Sequence, residues 1–212
     1  MKLKVCGMKY QENIEAVAAL QPDYLGFIFY EKSPRNFDAQ IPKLPSTIKK
    51  TGVFVDASID FIVDKVKQYN FRAVQLHGNE TIEYCKDLKL HLELYTKSIE
   101  VWKVFSIKDT FDFEVLTPYE NIVDYFLFDT KGKEKGGNGY TFDWSALNNY
   151  NSTTPFILSG GIGLDEINKV KAIVDTGLPI YGIDVNSKFE IEPGLKNSED
   201  IQTFKKSLPF DS

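Results

Sequence analysis

At 212 residues, 42% of them hydrophobic, the chain has enough apolar mass for one sizeable core, and 1–212 is expected to form a single domain. Its 25 basic against 30 acidic residues give a net charge of −5 with no dense run of Lys or Arg, which argues against a nucleic-acid partner. No stretch of about 20 apolar residues is present to span a bilayer, and Met1-Lys2-Leu3-Lys4 runs into Val5-Cys6 without an apolar signal segment, so a cytoplasmic protein with no membrane partner is expected.

Short, nearly continuous apolar runs mark the predicted strands, in chain order Lys2 to Cys6, Tyr24 to Phe29, Gly52 to Val55, Ala73 to Leu76, Val101 to Phe105, Tyr125 to Phe128, Phe156 to Leu158 and Tyr181 to Val185. Apolarity on both faces is the pattern of strands buried from both sides. Between the runs lie helical stripes: Ile14, Val17 and Ala18; Ile59, Ile62, Val63 and Val66; Ile82 to Leu88; and Leu164, Ile167, Val170 and Val174, with Asp165 and Glu166 at the positive helix end. Ser198 is the expected N-cap of a last helix that turns Ile201, Phe204 and Leu208 to the core. His91 to Ile99 reads as either a strand or a loop ahead of Val101, and Asn148 to Thr154 as a helix-to-strand loop.

Strands alternating with crossovers run parallel, because each crossover returns the chain to the same end of the sheet. Eight such units predict a closed (β/α)8 barrel. An open doubly wound sheet is the alternative, but it usually has fewer strands and a Gly-rich turn after the first, where this chain has only Gly7.

In a barrel of this kind the chemistry sits at the C-terminal ends of the strands. The residues there include Cys6, the Ser33-Pro34-Arg35 loop, Asp56, His77, Asp129, Ser159 and Asp184. A thiol at the first strand end and a carboxyl at the sixth suit a base and an acid facing one pocket. After the seventh strand comes Ser159-Gly160-Gly161-Ile162-Gly163, and after the eighth Asp184-Val185-Asn186-Ser187. Bare backbone N–H groups at a helix start attract phosphate, and the loops after strands seven and eight are the usual place for it in this fold. Without an opening GxGxxG, a sugar monophosphate is the expected ligand rather than a dinucleotide. The two histidines are far apart and no CxxC is present, so no metal is expected; Cys6 and Cys85 are read as free thiols, Cys85 as core packing.

A series of segments resembles the phosphoribosylanthranilate isomerase family of tryptophan biosynthesis over nearly the whole chain: Lys4-Val5-Cys6-Gly7-Met8, Gly26-Phe27-Ile28-Phe29 with Ser33-Pro34-Arg35, Gly52-Val53-Phe54-Val55, Gln75-Leu76-His77-Gly78, Phe128-Asp129-Thr130, Gly136-Gly137-Asn138-Gly139 with Phe142-Asp143-Trp144, Ser159-Gly160-Gly161, Gly182-Ile183-Asp184-Val185-Asn186-Ser187, and Glu192-Pro193-Gly194-Leu195-Lys196. The resemblance implies an Amadori rearrangement of N-(5-phosphoribosyl)anthranilate to 1-(2-carboxyphenylamino)-1-deoxyribulose 5-phosphate, with no cofactor. A general acid opens the furanose ring to an iminium, and a general base takes the C2 proton. By position, Asp129 matches the acid and Cys6 the base. Arg35 is implied to pair with the anthranilate carboxylate, Asp184 to lie near the sugar hydroxyls, and Gly160, Gly161 and Ser187 to cradle the phosphate. A monomer or homodimer is expected.

The demands on the pair are opposed. A free carboxyl titrates near roughly 4 and a free thiol near roughly 8.5, so the acid needs its proton held and the base needs modest lowering or proton transfer within the complex. Lys188 stands where the family commonly has glycine, a strain if the backbone there has positive φ. Lys131 to Gly139, rich in Lys and Gly, suits a loop closing over the site. His77 is left without a role and His91 is read as surface. Competing readings are another phosphosugar isomerase barrel, which would place an aspartate where Cys6 stands, a pentose phosphate epimerase, which would want metal-binding histidines, and a non-catalytic phosphosugar-binding protein, which would not need both Cys6 and Asp129.

Overall fold

In the computed structural model, the described residues are 1–95, 98–108, 111–130 and 143–210. The eight apolar runs become eight parallel strands of a closed barrel: β1 (Lys2–Val5), β2 (Tyr24–Phe29), β3 (Lys49–Phe54), β4 (Ala73–Leu76), β5 (Glu100–Ile107), β6 (Tyr125–Thr130), β7 (Phe156–Leu158) and β8 (Ile180–Val185). Closure comes from β1 against β8, with Lys2 opposite Gly182, Lys4 opposite Asp184 and Val5 opposite Val185.

Strands β1 and β8 differ from the apolar runs by one residue each, and β3, β5 and β6 extend further beyond them for one reason. Ladder pairing extends a strand through polar residues when a neighbour offers the matching groups. Lys49 and Lys50 pair with Tyr24 and Leu25, so β3 starts before Gly52. Glu100 pairs with Ala73, so β5 starts before Val101, and Ser106 and Ile107 carry Asp129 and Thr130 into β6. Asp129 is therefore held inside a strand rather than after it.

The crossovers depart further from expectation. Helices α1 (Gln11–Ala18), α2 (Ile59–Tyr69), α3 (Ile82–Glu93), α4 (Ile167–Val174) and α5 (Ser198–Ser207) follow the predicted stripes. Residues 30–48 join β2 to β3 without a helix, since Pro34, Pro42 and Pro45 interrupt any run of backbone donors. Among the described residues, short 3-10 segments, Phe113–Tyr119 and Trp144–Asn149, stand between β5 and β6 and between β6 and β7. Residues 164–166 form a 3-10 turn ahead of α4, which leaves Leu164 37% exposed instead of on the buried stripe. His91 belongs to the exposed face of α3, and Cys85 is fully buried beneath the same helix as a free thiol. No helix among the described residues is long and apolar enough to cross a membrane.

The N-cap of α5 is Asn197, one residue before the expected Ser198. Its Oδ1 accepts from the N–H groups of Glu199 and Asp200 at 3.1 and 3.3 Å, satisfying donors that the helix leaves open. Asn197→Ala is expected to cost about 1 kcal/mol of stability, read as a lower midpoint in urea unfolding with an unchanged slope.

Two apolar layers surround the strands. The outer one packs helices and turns on the barrel, including Phe27, Phe54, Phe126, Phe128, Phe156 and Phe204. The inner one, Tyr24, Ala73, Trp102, Val104, Leu127 and Ile157, fills the lower barrel. Tyr24 closes the N-terminal mouth: its hydroxyl donates to Glu100 at 3.0 Å and meets that of Tyr181 at 2.7 Å. Trp102 stands against Tyr24 with ring centroids 4.9 Å apart and carries the Lys4 ammonium 5.9 Å from its own centroid. Above that layer the interior turns polar.

Candidate active site

A narrow cleft opens at the C-terminal rim, and its lining includes all seven site residues expected from the sequence: Cys6, Arg35, Asp129, Gly160, Gly161, Asp184 and Ser187. Cys6 follows β1 directly and donates its backbone N–H to Val185 at 2.9 Å, so barrel closure itself sets the position of the thiol. Gly7 has φ +73, and a Cβ there would lie 2.7 Å from Asn186 Oδ1 and 2.8 Å from the Arg35 side chain. Glycine at this point lets the loops after β1, β2 and β8 meet.

Cys6 is 4% exposed, and burial pushes its thiol above the ordinary value. Lys4, two residues earlier on the same inner face, pulls the other way, and Asp184 adds to the rise. The modest lowering expected of a free-enzyme base is thus absent, because desolvation exceeds the attraction of the neighbouring ammonium. Lys4 Nζ donates to Asp184 Oδ1 at 2.8 Å, with side chains 2% and 5% exposed. Burial works against the Lys4 charge, yet Asp184 and Cys6 outweigh it and raise the group. Asp184 is pushed up by burial against the pull of Lys4, with Asp129 contributing to the rise, and it also accepts from Ser159 Oγ at 3.2 Å.

Asp129 is 4% exposed. Its Oδ1 accepts the Thr130 N–H at 2.9 Å, and its Oδ2 lies 3.3 Å from His77 Nε2, within ion-pair range but without hydrogen-bond alignment. His77 thus enters the site, having been left without a role in the sequence. The signal for it was alternation along β4, which turns Ala73, Gln75 and then His77 to the same side.

Beside Asp129, after β7, Gly160 and Gly161 have φ +88 and +67, and a side chain at Gly160 would strike Thr130 and Asp129. Successive positive-φ glycines turn backbone N–H groups toward a common point, an arrangement suited to an anion. Ser187 opens the 3-10 turn Ser187–Phe189 next to them. Lys188 is in this turn and is absent from the positive-φ positions among the described residues, so lysine carries no backbone strain in place of the family's glycine. Asp56 is elsewhere: it has φ 48 and binds the Asn79 N–H, holding the loop after β4. The Lys131 to Gly139 segment lies outside the described residues.

Arg35 reaches the cleft from the loop after β2, but not with a free guanidinium. Its Nε donates to both oxygens of Glu190, at 2.8 and 3.0 Å, and Nη2 donates to Glu190 Oε2 at 2.6 Å. Glu190 in turn pairs with Lys196 at 2.7 Å. Neither Glu190 nor Lys196 stood out in the sequence as a site residue, because each gains its partners only when the short hairpin β9 (Glu190–Glu192) and β10 (Leu195–Lys196) folds over the rim.

Architecture and cleft define the class of the (β/α)8-barrel enzymes. The family model described as N-(5'phosphoribosyl)anthranilate (PRA) isomerase matches residues 3–207. The N-(5'-phosphoribosyl)anthranilate isomerase of Parabacteroides distasonis is 43% identical, over 96% of this chain and 91% of its own, and that of Phocaeicola vulgatus is 38% identical over 98% of both. The crystal structure of the phosphoribosyl anthranilate isomerase from Thermotoga maritima superimposes with a TM-score of 0.80 at 30% identity, covering 98% of both chains. The chain belongs to the N-(5'-phosphoribosyl)anthranilate isomerase family.

Proposed function

We propose that the chain converts N-(5-phosphoribosyl)anthranilate to 1-(2-carboxyphenylamino)-1-deoxyribulose 5-phosphate in tryptophan biosynthesis, with Asp129 as general acid and Cys6 as general base. The observation that carries the reading is that the Cys6 thiol and the Asp129 carboxyl line one cleft together with Arg35 and the Gly160-Gly161 turn. A phosphorylated sugar with an anthranilate at its other end has an anionic group for each of those two anchors. Further support comes from a phosphoribosyl anthranilate isomerase solved with reduced 1-(o-carboxyphenylamino)-1-deoxyribulose 5-phosphate, a compound of the same class, at TM-score 0.78 and 28% identity over 98% of this chain and 97% of its own.

In this reading Asp129 gives its proton to the furanose ring oxygen, which becomes a free hydroxyl as the ring opens to the iminium. Cys6 takes the C2 proton and the electron pair moves to form the enolamine; a proton is then delivered to C1 from Cys6 while the enol C2 hydroxyl gives its proton back to the Asp129 carboxylate, which leaves the ketone, an isomer with no atom gained or lost. Gly160, Gly161 and Ser187 hold the phosphate through backbone N–H groups, and Asp184, fixed by Lys4 and Ser159, faces the sugar hydroxyls. The setting is cytoplasmic and the unit is one domain, as monomer or homodimer; a Thermotoga maritima relative is described as dimeric.

The test is the loss of substrate fluorescence when the protein is added, with Cys6→Ser as control. No loss above that control defeats the proposal. The Lys188 ammonium, at the cleft wall beside Ser187, adds attraction for the phosphate. Lys188→Gly is expected to raise KM by about two- to fivefold, the range for an exposed charge, with kcat retained. An unchanged KM makes Lys188 a bystander.

A further inference from the structure

Arg35 presents an unusual balance of charge to the cleft. Glu190 occupies the Nε–Nη2 edge of its guanidinium through three donor–acceptor contacts, and the Nη1–Nη2 edge has no partner among the described residues. A guanidinium has two edges able to grip a carboxylate, so the edge left open still accepts a second one. An Arg–Glu pair alone, however, is neutral, and the Glu190 carboxylate would repel an incoming anion.

Lys196 removes that difficulty. Its Nζ donates to Glu190 Oε1 at 2.7 Å and to Asn186 Oδ1 at 2.6 Å, and its side chain is 0% exposed. Burial pushes its ammonium down to about 8, with Glu190 opposing the fall, which leaves it charged at neutral pH. Glu190 is pushed up by burial, but Arg35, Lys196 and the Gly194 N–H outweigh this and hold its carboxyl below the ordinary value. Two cations against one anion leave one net positive charge facing the cleft. The backbone of Lys196 is fixed at both polar groups by Asn13, which donates to its carbonyl at 2.8 Å and accepts from its N–H at 2.7 Å. A buried ionic network of this kind is weak as a source of stability, because apolar residues of similar volume do as well or better. It is strong as a means of holding one geometry.

We propose that Glu190 and Lys196 are positioning residues for substrate recognition: Glu190 orients Arg35 so that its outer edge faces the anthranilate carboxylate, and Lys196 offsets Glu190 so that Arg35 keeps its positive charge for that carboxylate. The inference rests on the reading of Arg35 as the carboxylate ligand.

Its test compares two substrates, N-(5-phosphoribosyl)anthranilate and the analogue made from aniline, which lacks only the carboxylate. The ratio of their kcat/KM values reports recognition of that group and cancels general losses of activity. Lys196→Met is expected to lower the ratio about tenfold, through KM, by letting Glu190 neutralise Arg35. Adding Glu190→Gln to that variant returns one net positive charge and is expected to recover most of the ratio, a coupling that a merely structural role does not produce. Should Lys196→Met not fold, Lys196→Gln, which keeps a donor without the charge, carries the same expectation. A ratio within about twofold of wild type in the Lys196 variant, or a double variant as poor as the single one, overturns the proposal. A wild-type protein with no preference between the two substrates removes the Arg35 reading itself, and the proposal with it.

Discussion

Cys6→Ser is expected to lower kcat by about 10³-fold while KM changes little, the scale of a lost general base. The substitution keeps the backbone N–H that binds Val185 and fits the space beside Gly26, where a Cβ would lie 2.9 Å from the present sulfur, so the barrel has no reason to rearrange. What changes is the chemistry, because a hydroxyl holds its proton far more tightly than a thiol. Burial has already raised the Cys6 thiol, so at neutral pH the thiolate is the minor form. A base acts when deprotonated. In the wild type, as long as the general acid keeps the proton the mechanism requires of it, kcat/KM should therefore climb with pH through neutrality toward the region near 8 where Lys196 is about half deprotonated. The serine variant should lack that limb. Initial rates by substrate fluorescence across pH give both results, and near-normal turnover in the variant would remove Cys6 from the mechanism.

Asp129→Asn is expected to lower kcat by a similar factor, about 10²- to 10⁴-fold, again with substrate affinity largely kept. The amide preserves shape, and its oxygen still accepts the Thr130 N–H as Oδ1 does now at 2.9 Å. It has no acidic proton for the ring oxygen. His77, 3.3 Å from Oδ2, keeps a polar neighbour, so loss of position does not explain loss of rate. Binding of the reduced product analogue by calorimetry separates the two cases. Intact binding with turnover gone supports the acid, whereas turnover within about threefold of wild type removes it.

Which residues reach the cleft was largely legible in the chain, and how they are tuned was not. An apolar run followed by a polar residue identifies a strand end, and the (β/α)8 rhythm sends all such ends to one rim, which is why Cys6, Asp129, Asp184 and the Gly160-Gly161 turn could be named in advance. Strand limits were harder: Lys49, Lys50 and Thr130 are polar, and only a neighbour's ladder shows that they belong to strands. Where the described residues of a crossover show no α-helix the cause is related, since short 3-10 segments or a Pro-bearing loop stand there instead.

The order and burial of the strands and the parallel barrel followed from local pattern in the sequence alone, and the residues proposed as acid, base and anion-binding loops were named from strand-end position and family resemblance. Tertiary structure decided the electrostatics. Lys4 meets Asp184 across 180 positions of chain only because β1 closes on β8, and Arg35 meets Glu190 across 155 only because the loops after β2 and β8 pack over Gly7. The direction in which the Cys6 thiol shifts, the edge of Arg35 left for a ligand and the charge it offers depend on distances and burial. Those quantities exist only once the barrel has closed.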